Sequence, residues 1–439
     1  MPGRVMVMLA LCGGLCGGWC PPARGQTPIR LSETFLDGQQ FRVQSRMRGQ
    51  SKLLLKLKDR KEDETLTKTD ESALDYVERI LERDADGLPV RVLRWYDRVD
   101  FRRTVGPEVM ESTIRDSVRR LVVVRNGHLK APFSPDGPML LSEIELVRVD
   151  LFTPLLRGLL PTAAVQPGDS WDADGPSLRE LTDLEKPEGS LRCRFLEVRP
   201  EGGRRMAVVT FQGTIRGIGE DGPTRHELDG RFFFDLDASC LSLLSLRGKQ
   251  ILLDEAGREA GVGEGTLTLA REPLSRHPKL SDESIRGISL REDADNTLLL
   301  FEDDDLGVRF LYPRRWRVHA KQGRQVMIDA DNGNGILLTA LASHDTPTAT
   351  QLAKESSEFL KGQEARLLGA TAPRRLQSNP EVEMFTFEVE MQKQRLILDY
   401  FIVRHNKAGA TLAARIVPQD ARELRPEVER IARSVVVTK

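Results

Sequence analysis

Hydrophobic and polar residues begin to alternate at Gln40: Phe41, Val43 and Met47 fall on one side, and Arg42, Gln44, Arg46 and Arg48 on the other. A period of two is the mark of a strand with one face buried. The same signal returns at 52–58, 92–103, 191–198, 206–216, 231–237, 242–253 and 266–270. Clusters that favour turns separate these runs, as at Asp84-Ala85-Asp86-Gly87, Pro200-Glu201-Gly202-Gly203 and Asp254-Glu255-Ala256-Gly257. The clearest helical signal starts at Ser142, where Glu145 completes a capping box, and runs through Leu146, Val149 and Leu156 until Pro161. Residues 26–271 therefore predict a curved antiparallel sheet with a covering helix.

Periodicity lapses over 272–296, which reads as a linker mixing Pro, His, Lys, Ser and acidic residues. It resumes at 297–301 and 308–312, on either side of the acidic turn Glu302-Asp303-Asp304-Asp305. Two further strands, 326–330 and 336–342, flank Asn332-Gly333-Asn334-Gly335, whose residues tolerate the positive φ of a hairpin turn. A helix opens at Thr346-Pro347 and ends near Gly362. A three-strand meander follows over 382–391, 395–403 and 411–417, and a last helix carries Leu424, Val428, Ile431 and Val435 at helical spacing. Strands, helix, strands, helix is the order of an antiparallel sheet covered by helices, so residues 297–439 form a second domain and the fold class is α+β.

The first 25 residues have the layout of an export signal. Arg4 precedes an apolar stretch, and Ala23 and Gly25 offer a small-residue cleavage site that leaves Gln26 as the mature start. The apolar run is too short and too interrupted by glycine pairs to span a bilayer, which takes about 20 residues. A periplasmic or extracellular protein with no membrane span after cleavage is the expectation. Leu11, Leu15 and Trp19 precede Cys12, Cys16 and Cys20, so none of these cysteines has the small neighbours that lipid anchoring requires. The mature chain keeps Cys193 and Cys240, a candidate disulfide in an oxidising compartment, or two buried free thiols.

Charge is high but balanced, with 65 basic and 66 acidic residues, and neither domain carries the basic excess that a nucleic-acid partner demands. Gly217-Ile218-Gly219-Glu220-Asp221-Gly222 matches a dinucleotide fingerprint, but a strand rather than a helix follows it, so it reads as a hairpin turn. Asp172-Ala173-Asp174-Gly175 and Asp329-Ala330-Asp331-Asn332-Gly333 lack the closing Glu of a calcium loop. Six scattered histidines and no nucleophile elbow give no catalytic constellation. No catalytic, cofactor or metal residue is assigned. The most basic aromatic cluster, Arg314-Arg315-Trp316-Arg317, is the candidate partner contact, because Trp and Arg are favoured as interface anchors.

Gly307, Phe310, Tyr312, Pro313 and Trp316 form a G-x-x-F-x-Y-P-x-x-W opening that resembles the PsbP and Mog family across residues 297–439. The resemblance implies an α/β sandwich with a docking or accessory role. Leu159-Leu160-Pro161, Val165 and Pro167-Gly168-Asp169-Ser170-Trp171, followed by hairpins, are similar to uncharacterised exported bacterial β-rich domains and loosely to LolA-like lipoprotein carriers. Two expectations stand side by side: a non-enzymatic module that docks on an unknown envelope protein, or a carrier that encloses an apolar ligand in its first domain. A carrier needs an internal space of roughly 300–1,000 Å³.

Overall fold

The computed structural model describes residues 27–55, 64–127, 129–148 and 150–439. The export signal lies outside the described residues. The chain is built mainly of antiparallel sheet with few helices.

In the first part, β1 (Gln40–Leu55), β2 (Glu64–Arg83), β3 (Pro89–Val105), β4 (Glu108–Ser112), β5 (Arg120–Asn126) and β6 (Leu129–Phe133) walk outward from the sheet centre to one edge. The chain then crosses through β7 (Met139–Leu140), α1 (Leu141–Arg148) and a tight helical stretch at Thr153–Leu159. It re-enters the sheet at the far edge with β8 (Ser170–Asp172) and, after α2 (Gly175–Thr182), β9 (Glu185–Glu201). Hairpins through β10 (Arg204–Gly219), β11 (Gly222–Asp235), β12 (Cys240–Leu253) and β13 (Glu259–Leu274) lead back to the centre. There β13 pairs with β1 from Gln40↔Leu274 to Leu53↔Gly261. The result is a 12-stranded sheet with β6 and β8 near its two ends and the crossover on one face.

Phe41, Val43 and Ser45 of β1 are buried while Arg42 and Gln44 are exposed, so the alternation read from the sequence sets which face meets the crossover. The segment before β1 joins that face through Leu31 and Phe35. Glu33 forms a buried ion pair with Arg271, whose guanidinium lies 3.7 Å from the Phe41 ring centre.

Two sequence expectations change, and of the two alternatives left open for Cys193 and Cys240 the disulfide falls. The helix expected from Ser142 to Pro161 is cut after Arg148: Asp150 turns inward, and Thr153 precedes Pro154, where the α conformation is disfavoured. Its first turn is satisfied by Glu143, which accepts from the Leu140 amide and from Arg115, rather than by Ser142. Residues 272–296 are more than a connection, since β13 runs to Leu274 and Leu280, Ile285 and Leu290 pack on the opposite sheet face against Val77, Leu93 and Val122. Cys193 and Cys240 are free buried thiols. They sit on β9 and β12 with two strands between, roughly 14 Å at normal strand spacing, beyond disulfide reach. Burial pushes both thiols up to about 12.

The second part follows the order read from the sequence. β14 (Leu299–Asp303) and β15 (Val308–Tyr312) form a small sheet with the last strand, β24 (Val436–Val437), and with β7, whose parallel pairing to β14 joins the two parts. β16 (Arg317–Gln322), β17 (Gln325–Asp329), β18 (Gly335–Ala342), β19 (Arg366–Ala370), β20 (Arg374–Ser378), β21 (Glu381–Met391), β22 (Gln394–Arg404) and β23 (Ala408–Ile416) make an eight-stranded sheet. The turn before β18 has Asn332 and Gly333 at φ 61° and 74°, as its residues predict. α3 (Ala349–Gly362) is capped by Thr348 and Gln351 and packs with Phe385 and Phe387 on one face. α4 (Ala421–Ser434) packs Leu424, Val428 and Ile431 against the other, where Met384 and Phe401 lie. The second part is thus a sheet-rich α+β arrangement with a helix on each face of its large sheet.

Candidate functional site

Along β1 and β13, the bulkiest inward side chains lie toward one end and glycines toward the other. β1 reads Phe41, Val43, Ser45, Met47, Gly49, Ser51 at successive inward positions, and β13 reads Leu269, Leu267, Gly265, Gly263. The register aligns Gly49, Gly265 and Gly248 of β12 in one row, next to the row of Met47, Leu267 and Leu246. Three adjacent glycines supply no side chains to fill the layer below the crossover. A cleft of about 420 Å³ opens there between the sheet and the ends of α1 and α2.

Leu74, Val99, Leu228, Leu246, Leu252 and Leu267 provide much of its sheet-side wall, and Leu146, Leu151 and Leu181 face them from the crossover. Its inner end is polar. Asp150 and Glu180 line the cleft, and both are buried. Asp150 accepts from Arg94 at 3.0 Å, and Arg94 also holds Glu78 at 2.8 Å and donates to the Tyr96 hydroxyl. The Arg94 guanidinium lies 4.5 Å from the Tyr76 ring centre. Lys130 bridges the Asp150 carbonyl and Glu180 Oε1, which also accepts from the Phe152 amide. Burial holds the carboxyls of Asp150 and Glu180 above their ordinary range and keeps the His226 imidazole below its own.

These residues gave no functional signal in the sequence. Each acid or base on a strand reads there as a solvated position, and only the pairing of β2 with β3 and the turn at Asp150 bring Glu78, Arg94 and Asp150 together. The arrangement holds no catalytic triad among the described residues, because the His226 side chain bonds to neither a carboxylate nor a hydroxyl. Nor is any group of three His, Cys, Asp or Glu residues there placed to hold a metal ion. The fingerprint glycines at 217–222 form the β10–β11 hairpin, with Gly219 paired to Gly222, and Asp174 caps α2 by accepting from the Ser177 amide. Lys321 pairs with Asp303 and Asp305 of the acidic turn.

The cluster singled out as a partner contact is largely used inside the fold. Arg314 donates to the carbonyls of Thr297 and Pro132, Arg315 pairs with Glu423 and Glu427, and the buried Trp316 ring donates to Glu427 at 2.8 Å. Arg317 alone of the four has no hydrogen bond or ion pair of this kind among the described residues, and it is exposed. Another basic surface lies beside α4, a groove of about 510 Å³ where Arg374, Arg422, Arg425, Arg430 and Arg433 surround Asp399 and Glu429.

No protein-family model matches the chain, and no curated protein matches it. Among solved structures, the cyanobacterial PsbP (CyanoP) from Synechocystis sp. PCC 6803 is 14% identical over 32% of this chain and 92% of its own, with a TM-score of 0.27. The Ran-binding protein Mog1p of Saccharomyces cerevisiae is 10% identical over 32% of this chain and 95% of its own, with a TM-score of 0.23. Both are distant fold likenesses to the family that the Gly307–Trp316 motif resembles. A structure of lipovitellin, described by its lipid–protein interactions, is 10% identical over 66% of this chain, which spans only 30% of that protein, with a TM-score of 0.34. At such scores none of these likenesses bears on function.

Proposed function

We propose that the protein is an exported, non-enzymatic binding protein of the cell envelope that carries an apolar ligand in the cleft of its large sheet. The observation that supports this reading is the apolar cleft itself. Its volume of about 420 Å³ falls in the range of small-molecule sites, and the glycine row that keeps it open is built into the register of β1, β13 and β12. Binding of N-phenyl-1-naphthylamine, a neutral apolar fluorophore, tests it. The mature protein is expected to bind it saturably, and Gly49→Leu to abolish binding without unfolding the chain, since a Cβ there has its nearest neighbour 3.8 Å away. Unsaturable binding, or full binding by the variant, overturns the reading. Recovery from the envelope fraction of a chain beginning at Gln26 tests export.

Docking is the second reading, and the arginine groove beside α4 favours it: Arg425, Arg430 and Arg433 pair with Asp399, Asp295 and Glu429, while Arg374 and Arg422 have no carboxylate partner among the described residues and suit an acidic partner surface. Under this reading, capture of a partner from envelope extract is lost on Arg374→Gln with Arg422→Gln.

A further inference from the structure

We infer that the arginine groove beside α4 receives an extended acidic segment of a protein partner, about five residues long, whose carboxylates meet Arg374 and Arg422. The inference rests on the docking reading and names the partner's chemistry. α4 forms one bank, where Arg422, Arg425, Glu429 and Arg433 recur at helical spacing and so share one side of the helix. The edge strand β20 forms the other. Its Arg374 lies opposite Met384 in the register, between the level of Thr386, which Arg425 reaches at 3.0 Å, and that of Leu376, whose carbonyl Arg433 reaches at 2.8 Å. Arg374 therefore stands across from the middle of the helix.

Three arginines of the groove are already fixed. Asp399, its side chain 1% exposed, accepts twice from Arg425, Glu429 accepts twice from Arg433, and Asp295 pairs with Arg430. Their guanidinium planes are held before a partner arrives, so little freedom is lost on binding. Arg374 and Arg422 are exposed and meet no carboxylate among the described residues; Arg374 donates to the Met384 sulfur at 3.2 Å, a weak acceptor. Two positive charges thus stand unmatched over a concave surface whose floor, at Met384 and Phe401, is apolar. Planar guanidinium forks match carboxylates. The bank from Arg422 to Arg433 is roughly 16 Å long at about 1.5 Å per residue, more than a lone anion bridges, and an extended chain covers it in about five residues. A surplus of this size is too small for a nucleic-acid backbone, which binds through many phosphate contacts.

An end-blocked peptide of alternating glutamate and alanine, about five residues long and carrying a neutral dye, is titrated by fluorescence anisotropy beside its glutamine counterpart. The glutamate peptide is expected to bind about tenfold or more tighter, the scale of a hydrogen bond between charged groups, and to weaken as salt rises. Arg374→Gln with Arg422→Gln should remove that advantage while circular dichroism stays unchanged, and each single substitution should remove part of it, which keeps the test open if the double variant misfolds. Arg317→Gln, at an exposed arginine outside the groove, should leave the advantage intact. Equal binding of the two peptides, or an advantage that Arg317→Gln reduces as much as the double variant does, overturns the inference. So does displacement of the peptide by inorganic phosphate or by phosphatidylglycerol vesicles at equal anion concentration, which marks a site for a lone anion or a membrane. Capture from envelope extract separates the two levels: if it depends on Arg374 and Arg422 while the peptide fails to bind, the docking reading stands and the extended segment falls. If neither depends on them, both fall.

Discussion

The two large sheets of this chain are both antiparallel, both hold helices against them, and both draw on the same alternation of apolar and polar residues, yet one holds a leucine-lined cleft over a row of glycines and the other a groove rimmed by arginines. In the second sheet, β21 and β22 fill their layers with Phe385, Phe387 and Tyr400, the first and last stacked at 4.8 Å, and Trp316 closes the space under α4. In the first sheet, the inward positions of three adjacent strands are glycine at the same level. The difference teaches that a cavity in such a fold does not need a different topology. It needs small residues to coincide across strands, so that their missing volume adds up in one place while close packing persists elsewhere.

The polar content differs too. The first sheet buries Glu33, Glu78, Arg94, Asp150 and Arg271, whereas the interior of the second is mostly apolar, with Asp399 joined to Thr386 and Arg425 as its main charged exception. Arg94→Ala is the largest expected perturbation, because it strands Glu78 and Asp150 without their cation. A loss of about 3–5 kcal/mol in denaturant unfolding is expected, and a loss below about 1 kcal/mol would show the cluster to be weakly coupled to the fold. Truncation of a leucine should then separate the two sheets. Leu338→Ala, at a fully buried position of the second sheet, is expected to cost about 2–5 kcal/mol, while Leu246→Ala beside the cleft costs less than about 2 kcal/mol, because part of its surface already faces open space. Equal losses by the same measurement would break the contrast between a filled layer and an unfilled one.

The smallest effect is a slope with pH. His226 is held below its ordinary value of 6.5 by burial, so the unfolded chain takes up a proton that the folded chain refuses. Its contribution to stability is present above pH 6.5 and is lost as pH falls towards the folded-state value. Unfolding measured across that window should show a dependence that His226→Gln removes, and an unchanged slope would assign it to other groups.

Much of the strand pattern is legible in the sequence, and the reason is local. Alternation at Phe41 and Val43, the turn residues Asn332 and Gly333, and the helical spacing of Leu424, Val428 and Ile431 each act within a few residues. The long strand β2 was missed because both its faces are buried: Leu74, Tyr76 and Ile80 meet the crossover, while Val77 packs beneath Leu280, so the period of two is blurred. The inward turn at Asp150 likewise answers to Arg94, 56 residues away.

By itself the chain of residues determined most of the strands, the second part's helices and the apolar face of strands such as β1, since those outcomes follow from side-chain periodicity and backbone preference. Only the tertiary structure decided that Gly49, Gly265 and Gly248 share a level, that Glu78, Arg94 and Asp150 meet, and that Trp316 turns inward. These depend on register between strands far apart in the chain, and register is set by the closure of the whole sheet.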